Sequence, residues 1–367
     1  MDPNVTVDLI GQNGMVQGAV ASKFQANGNL NIGAMRPFIH TDGRPYISVY
    51  MGGDVKDPKS YHTQMVANGT LRRDEWKTLD DALLSVARYR LGGIQDLESL
   101  GLVYNLANGM GTTVLEWHTV SGSIKAVMTM DGVNRGLNDR PNYKYHYLPI
   151  PIVHADYEIS ARDLALSRNM GNPLDTTDAE FATRSVYEQL ENMLFTDTDY
   201  SFGEKDSNSR NTIYSYVNYP DRNLVSLNLE WNDSAKTGKQ IVDDVNRMKA
   251  ALVAKHQYGP YYLYVPTAYD MILDDDYSTL KNDNTIRERI MKIENIKAIK
   301  VNDTLEADNV LLVQMTPSTI RLVKGMGIQN LQWGTEGNLI DKHKIMTIQV
   351  PQIRSDQEGQ CGIAHLA

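Results

Sequence analysis

The chain has 367 residues, 41% of them hydrophobic, with one cysteine, a formal net charge of -9 and a mean hydropathy of -0.40. That is material for a sizeable core in about two domains, and no apolar run approaches the roughly 20 residues a membrane-spanning helix needs. The acidic balance excludes a protein that reads nucleic acid through a basic face, Cys361 has no partner for an internal disulfide, and the start MDPNVTVDLIGQNGMVQGAV lacks the pattern of a secretory signal.

Residues 1–70 are rich in Gly, Asn and Gln with few periodic apolar positions, the composition of an extended arm rather than a domain. Residues 74–91 then carry Leu79, Ala82, Val86 and Ala87 at helical spacing, and Gly92-Gly93 is expected to stop that helix. From 112 to 147 the period becomes that of strands: 114–120, a Ser121-Gly122-Ser123 turn, 124–130, a polar loop over 131–142, then Tyr143, Tyr145 and Tyr147 in alternation. This block has too few apolar residues to bury both faces, so its partner is expected outside its own domain.

Residues 149–158 are held extended by Pro149 and Pro151, and set Val153, Ala155 and Tyr157 against His154, Asp156 and Glu158. Ser160 with Asp163 reads as a capping box opening a helix of about ten residues, which Gly171-Asn172-Pro173 ends. Thr177 with Glu180 reads as a second box. It opens a long helix to Phe195 with the stripe Ala179, Ala182, Val186, Leu190 and Met193, while Arg184 and Glu188 stand at ion-pair spacing on its wet face.

Residues 238–340 read as an α/β module. A helix over 239–256 has the stripe Ile241, Val245, Met248 and Leu252, a Gly259-Pro260 turn leads to a strand over 261–265, and short helices follow near 267 and over 285–293. Strands are expected at 296–301, 310–315, 344–350 and 362–366.

Motifs of chemistry are sparse. His154, Asp156 and Glu158 share one strand face, which would suit a metal or an acid/base pair but equally a solvated edge. Asp274-Asp275-Asp276 lacks the further ligands and glycine of a calcium loop. Gly109-Met-Gly111 and Gly325-Met-Gly327 lack the third glycine of a dinucleotide fingerprint. Met110, Met128 and Met130 read as packing filler, and Cys361 as a buried, idle thiol. Tyrosine outnumbers phenylalanine 20 to 5; its apolar ring and polar tip suit surfaces that are wet in a monomer and dry after assembly, although a tyrosine-rich enzyme surface would give the same count.

Three segments carry a family resemblance. The strand, the Asp163-Leu164 helix, the break, the Asp175-x-x-x-Ala179-Glu180 opening and the long helix ending Glu191-Asn-Met-Leu-Phe195 look like the spine-helix region of encapsulin shells and tailed-phage major capsid proteins. Residues 74–88 are similar to the helix that precedes the extended loop in that family, and 241–250 followed by Tyr258-Gly-Pro-Tyr-Tyr-Leu-Tyr-Val-Pro266 resembles its helix, turn and strand. Order and spacing agree from about residue 71 onward.

The resemblance implies an α+β tailed-phage capsid fold. Its parts would be an N-terminal arm over 1–70, a helix region over 71–111, an extended β-hairpin loop over 112–147, a peripheral domain with the long spine helix over 148–225, an axial α/β domain over 226–340, and C-terminal strands over 341–367 returning to the peripheral domain. It implies a major capsid protein that self-assembles through pentamers and hexamers into an icosahedral shell around a double-stranded DNA genome. Such a shell would contact its DNA non-specifically, work with scaffold, portal and decoration proteins, use no cofactor, metal or membrane, and be built in the bacterial host cytoplasm before serving as the virion capsid. With Met1 at the start, a separate scaffold protein is expected rather than a fused one. Candidate interface residues are Trp117, Lys125, Tyr143, Tyr145, Tyr147, Arg184 and Glu188. Lys125 and Lys144 lie where some members of the resembled family form Lys–Asn isopeptide bonds, but nothing here identifies an acceptor, and no bond is expected. An encapsulin nanocompartment enclosing cargo enzymes is the nearest alternative, disfavoured by the extra N-terminal residues, and a soluble α/β enzyme is a more distant one.

Overall fold

The computed structural model describes residues 36–51, 57–65, 71–86, 92–121, 128, 130, 142–170, 174–198, 200, 212–277, 284–336 and 339–367. The chain forms two compact units: unit 1 of Met1–Thr113, Ile150–Met193 and Leu322–Val350, and unit 2 of Val114–Pro149, Leu194–Arg321 and Pro351–Ala367. Its first half runs β1 (Phe38–Ile39), β2 (Pro45–Tyr50), β3 (Tyr61–Met65), α1 (Arg73–Val86), α2 (Gly92–Ser99), β4 (Val103–Asn105), β5 (Val114–Val120), β6 (Tyr143–Pro149), β7 (Val153–Ser160), α3 (Ala161–Met170) and α4 (Thr177–Phe195). The second half runs β8 (Asn223–Val225), α5 (Gly238–Ala254), β9 (Tyr261–Pro266), α6 (Asp270–Leu273), α7 (Ile286–Met291), β10 (Ile296–Asn302), β11 (Val310–Gln314), β12 (Ile320–Glu336), β13 (Ile340–Ile353) and β14 (Ile363–Leu366).

Unit 1 opens on a three-stranded sheet, β1-β2-β3, within the segment whose weak periodicity suggested no strands. Phe38 and Ile47 are its buried apolar side chains, too few to leave a period in the sequence. α1 buries Leu79, Ala82 and Leu83 as its stripe requires. Its expected end falls on 87–91, outside the described residues, and Gly92 opens α2 instead of stopping α1. The reason lies at the end of α4: buried Glu191 accepts from the N–H of Ile94 at 3.1 Å and of Gly93 at 3.4 Å, supplying a carboxylate to donors that a helix N-terminus leaves unpaired.

α4 runs over the span its stripe predicts. Ala179, Ala182, Val186, Leu190 and Met193 are all buried. Its cap sits slightly upstream of the expected Thr177–Glu180 box. The Thr176 hydroxyl donates to Glu180 at 3.0 Å, and Asp175 accepts from both the hydroxyl and the N–H of Thr177, bonds that hold its carboxyl below the usual range. The Ser160–Asp163 box opens α3 as read.

A four-stranded sheet, β4-β12-β13-β7, forms the rest of unit 1. Here a strip of polar and aromatic side chains is fully buried. Arg36 bonds both oxygens of Asp80 at 2.7 and 2.8 Å and lies 4.5 Å over Trp76, whose edge meets His343, and His343 stacks on Tyr157 at 5.1 Å. Burial, with Arg36 nearby, pushes His343 down to about 3, so the ring stays neutral. The two Gly-Met-Gly segments meet in this unit. A Cβ on Gly109 would stand 2.5 Å from the Gly325 Cα, so these glycines are there for backbone packing.

Unit 2 holds a five-stranded sheet in the order β10-β9-β11-β14-β8. α5 opens on a Thr237–Gln240 capping box and buries Ile241, Val245, Met248 and Leu252 against Leu263, Val265, Val310 and Leu312. Two boundary expectations are corrected by strand pairing. β14 does not return to the peripheral sheet: it lies between β11 and β8, with Ala364 opposite Leu312, because Ile363–Leu366 is buried on both faces and fits only a central position. β12, placed by sequence in the α/β module, instead pairs with β13, so that module gives way to unit 1 at Leu322.

This packing makes two substitutions informative. Val186→Asp buries an unpaired carboxylate at a site 1% exposed, which costs ~4 kcal/mol or more; soluble expression should collapse, and a wild-type melting curve would show that the stripe is not core. In unit 2, buried His365 donates from Nε2 to Asn309 at 2.6 Å and accepts at Nδ1 from Arg222, and burial holds it at about 4. An imidazole depressed in this way stabilises the fold fully above its ordinary pKa of 6.5. That stability, ~3 kcal/mol, is lost as pH falls from 6.5 towards 4. Thermal melts across that range should show the slope, and His365→Gln should reduce it, the remainder coming from buried His343.

Candidate assembly interface

The candidate interface residues fall on two elements. β5 and β6 pair antiparallel in an unbroken register, with Trp117 opposite His146, His118 opposite Tyr145 and Val120 opposite Tyr143. Opposed residues share a face, so Trp117, His146 and Leu148 lie on one side of the ribbon and Glu116, His118, Val120, Tyr143, Tyr145 and Tyr147 on the other. β5 takes β6 as its partner; the expected 124–130 strand lies, apart from Met128 and Met130, outside the described residues, as does Lys125.

The two faces differ in cover. Trp117 stacks on His146 at 5.3 Å, and the Thr119 hydroxyl bonds His146 Nε2 at 3.1 Å. Burial and Lys144 hold the His146 imidazole below its ordinary value. Trp117, His146 and Leu148 line a cleft of about 690 Å³ with Tyr214, Tyr219, Pro220, Pro351 and Ile353 of the same unit, and Tyr143, Tyr145 and Tyr147 of β6 border it too. On the opposite face Val120, Tyr143 and Tyr145 stand exposed, the two tyrosine rings set against His118 at 5.4 and 6.3 Å. By register Tyr143, Tyr145 and the half-buried Tyr147 share the ribbon face opposite Trp117, the first two exposed, while all four residues border the cleft.

Arg184 and Glu188 lie on α4 of unit 1. Arg184 Nε donates to Glu188 at 2.7 Å with both side chains well exposed, a surface pair worth a few tenths of a kcal/mol. Phe181, one turn before Arg184 on the same face and 64% exposed, was missed by sequence reading; a large apolar residue inside an otherwise polar face was the available signal.

The other motifs resolve into structure. Lys344 stands 3.3 Å from Asp156 and 5.0 Å from the Trp333 ring, and Lys342 stands 3.9 Å from Glu158, so lysines from β13 face the carboxylates of β7. Arg287 bonds Asp270 and Asp274 at 2.7 Å each, occupying the acidic run with an arginine. Burial pushes the Cys361 thiol up to about 12. Met128 and Met130 do not fill packing: both are fully exposed, a distinction that methionine spacing alone does not make.

Known proteins place this architecture. The profile of a family described as of unknown function, DUF6260, matches residues 65–366. The chain belongs to that family. No curated protein sequence matches it. Among solved structures, this DUF6260 chain is similar to a virus-like particle from Pyrococcus furiosus, with TM-score 0.54 and 17% identity over 79% of this chain and 98% of that one. It is similar to the capsid of Myoviridae phage XM1, with TM-score 0.55 and 8% identity over 75% and 91% of the two chains. It also resembles the capsid of a native GTA particle, with TM-score 0.51 and 12% identity over 84% and 94%. Likeness of this extent at such low identity is likeness of fold, and the DUF6260 chain has the α+β tailed-phage capsid fold that its spine-helix region resembles.

Proposed function

We propose that the chain is a shell-forming structural protein, the major capsid protein of a tailed phage, acting by self-assembly into an icosahedral shell around double-stranded DNA. A fold does not by itself fix a function. What carries the reading is the combination of a capsid fold with a two-stranded ribbon whose outward face presents Val120, Tyr143 and Tyr145 to water. In rings of five and six copies that face would meet a neighbour, together with Lys125 and the Phe181–Arg184–Glu188 face of α4. Trp117 would act from the other side, anchoring the ribbon to its own unit through the cleft.

The net charge of -9 suits a container wall that touches packaged DNA without condensing it. Scaffold, portal and decoration proteins would complete the particle in the host cytoplasm. A second reading, a nanocompartment around cargo enzymes, is favoured by the likeness to the Pyrococcus furiosus particle, whose chain is covered almost completely. The contents of particles from the native source distinguish the two: nucleic acid for a capsid, folded enzyme for a compartment.

Replacing Val120, Tyr143 and Tyr145 together by serine tests the ribbon's role, because these exposed side chains take no part in the five-stranded sheet or its α5 core. Circular dichroism should stay near native while large particles vanish from gel filtration. Intact particles from this variant would contradict the assignment of the ribbon as the contact between copies.

A further inference from the structure

Charge is spread unevenly over unit 2. Between residues 289 and 297 the chain carries Arg289, Lys292 and Lys297 against Glu294 alone, in a protein of net charge -9. The fold adds Lys249 of α5 to this group: its ammonium donates to the Glu294 C=O at 2.8 Å, and the Asn295 side chain of the same turn donates to the Tyr258 C=O at 2.9 Å. Lys292, Lys297, Tyr258 and Met291 are all exposed, which makes a basic patch with apolar ground between its charges. At the other end of α5 the balance is reversed. A cleft of about 430 Å³ is lined by the carboxylates of Glu230, Asp233 and Asp308 and by Leu227 and Leu229. Lys236 of the same loop is engaged elsewhere, by Asp244 at 2.6 Å and the Leu229 C=O at 2.9 Å, and among the described residues no lysine or arginine makes an ion pair with the three cleft carboxylates. Glu230 and Asp233 lie just before the Thr237 cap of α5, a helix of 17 residues and so ~25 Å long. The two surfaces also belong to opposite edges of the sheet: Lys297 is on β10, whereas Leu227 follows β8, with β9, β11 and β14 between.

We propose that the Lys292–Lys297 patch of one copy docks head to tail in the acidic cleft of a second copy. A lysine suits that cleft in both its parts, since its four-carbon stem can lie on Leu227 and Leu229 while its ammonium reaches the carboxylates. Tyr258 and Met291 beside the lysines supply apolar contact, and Leu224, exposed on β8 just before the cleft, is there to receive it. Copies that each carry a charge of -9 repel as wholes, so the local match of sign selects which surfaces meet. Two different surfaces on opposite edges of one unit make a heterologous contact, which repeats around a ring wherever its rotation closes. The inference rests on the shell reading for its rings of five and six. It adds to the tyrosine ribbon a second contact, polar in character, that should weaken as salt rises.

Charge reversal in the full-length protein tests the pairing. Lys292→Glu with Lys297→Glu, and separately Glu230→Lys with Asp233→Lys, should each shift the oligomers seen by gel filtration at low salt to single chains, with circular dichroism unchanged. All four substitutions in one chain restore opposite signs across the contact and should bring the oligomers back. Loss in both pairs without recovery in the fourfold variant would overturn the pairing. Particles that form from the lysine variant as they do from the wild type would overturn it too, and would leave the shell reading standing. Oligomers that return in the fourfold variant but never close into particles would support the pairing and count against the shell. Lysines that instead serve packaged nucleic acid would show as a variant that loses nucleic acid and keeps its oligomers, which would also overturn the proposal. Should the cleft variant fail to fold, the lysine variant decides, because its two exposed side chains take no part in the core: an unchanged distribution of oligomers would sink the contact.

Discussion

Two strands paired only with each other cannot keep both faces from water, and the β5–β6 ribbon, which among the described residues has no further strand, meets that limit unevenly. Its Trp117 face is turned to a cleft in the ribbon's own unit, where the stack on His146 and the neighbouring Tyr219 and Pro220 give it cover. Its tyrosine face is less covered: Val120, Tyr143 and Tyr145 stand exposed, and Tyr147 is half-buried. The rest of the molecule supplies rigid support: a sheet buried on both sides in unit 2, and a spine helix whose apolar stripe is sealed in unit 1. Two finished cores and one half-finished ribbon fit the proposed role in association, in which aromatic side chains would bury much area at little entropic cost.

Much of this was legible because it depends on period. The spine helix, both strands of the ribbon and the helix of the α/β module were readable from the spacing of Val186, Leu190, Tyr143, Tyr145, Ile241 and Leu252, which the structure places as the spacing requires. Illegible features were those set by contacts distant in sequence. Glu191 turns Gly92-Gly93 from a stop into a start, and nothing near residue 92 announces a carboxylate almost a hundred residues on. β14 reads as a strand, but whether it joins one sheet or another depends on β11, not on its own residues. The pairing of Trp117 with His146 likewise follows from register across a long loop, which the spacing of Trp117 alone does not announce.

The site shows the same division. Tyr143, Tyr145, Tyr147, Arg184 and Glu188 were singled out by alternation and by ion-pair spacing, and in the structure all but the half-covered Tyr147 stand exposed. Residues that seemed to offer chemistry lost that appearance once their partners were visible: Asp156 and Glu158 face lysines, Asp274 faces Arg287, and the glycine pairs exist for close backbone approach. Polar residues on this surface are engaged with one another rather than converging on a ligand.

The central proposal is that this chain acts by association with copies of itself. Sedimentation of the purified full-length protein across a concentration series tests it most directly. The account predicts a step from the 41.2 kDa chain to rings and then to closed particles in the megadalton range. A single species that stays at one or two chains at every concentration, with or without its phage or host partners, would contradict it.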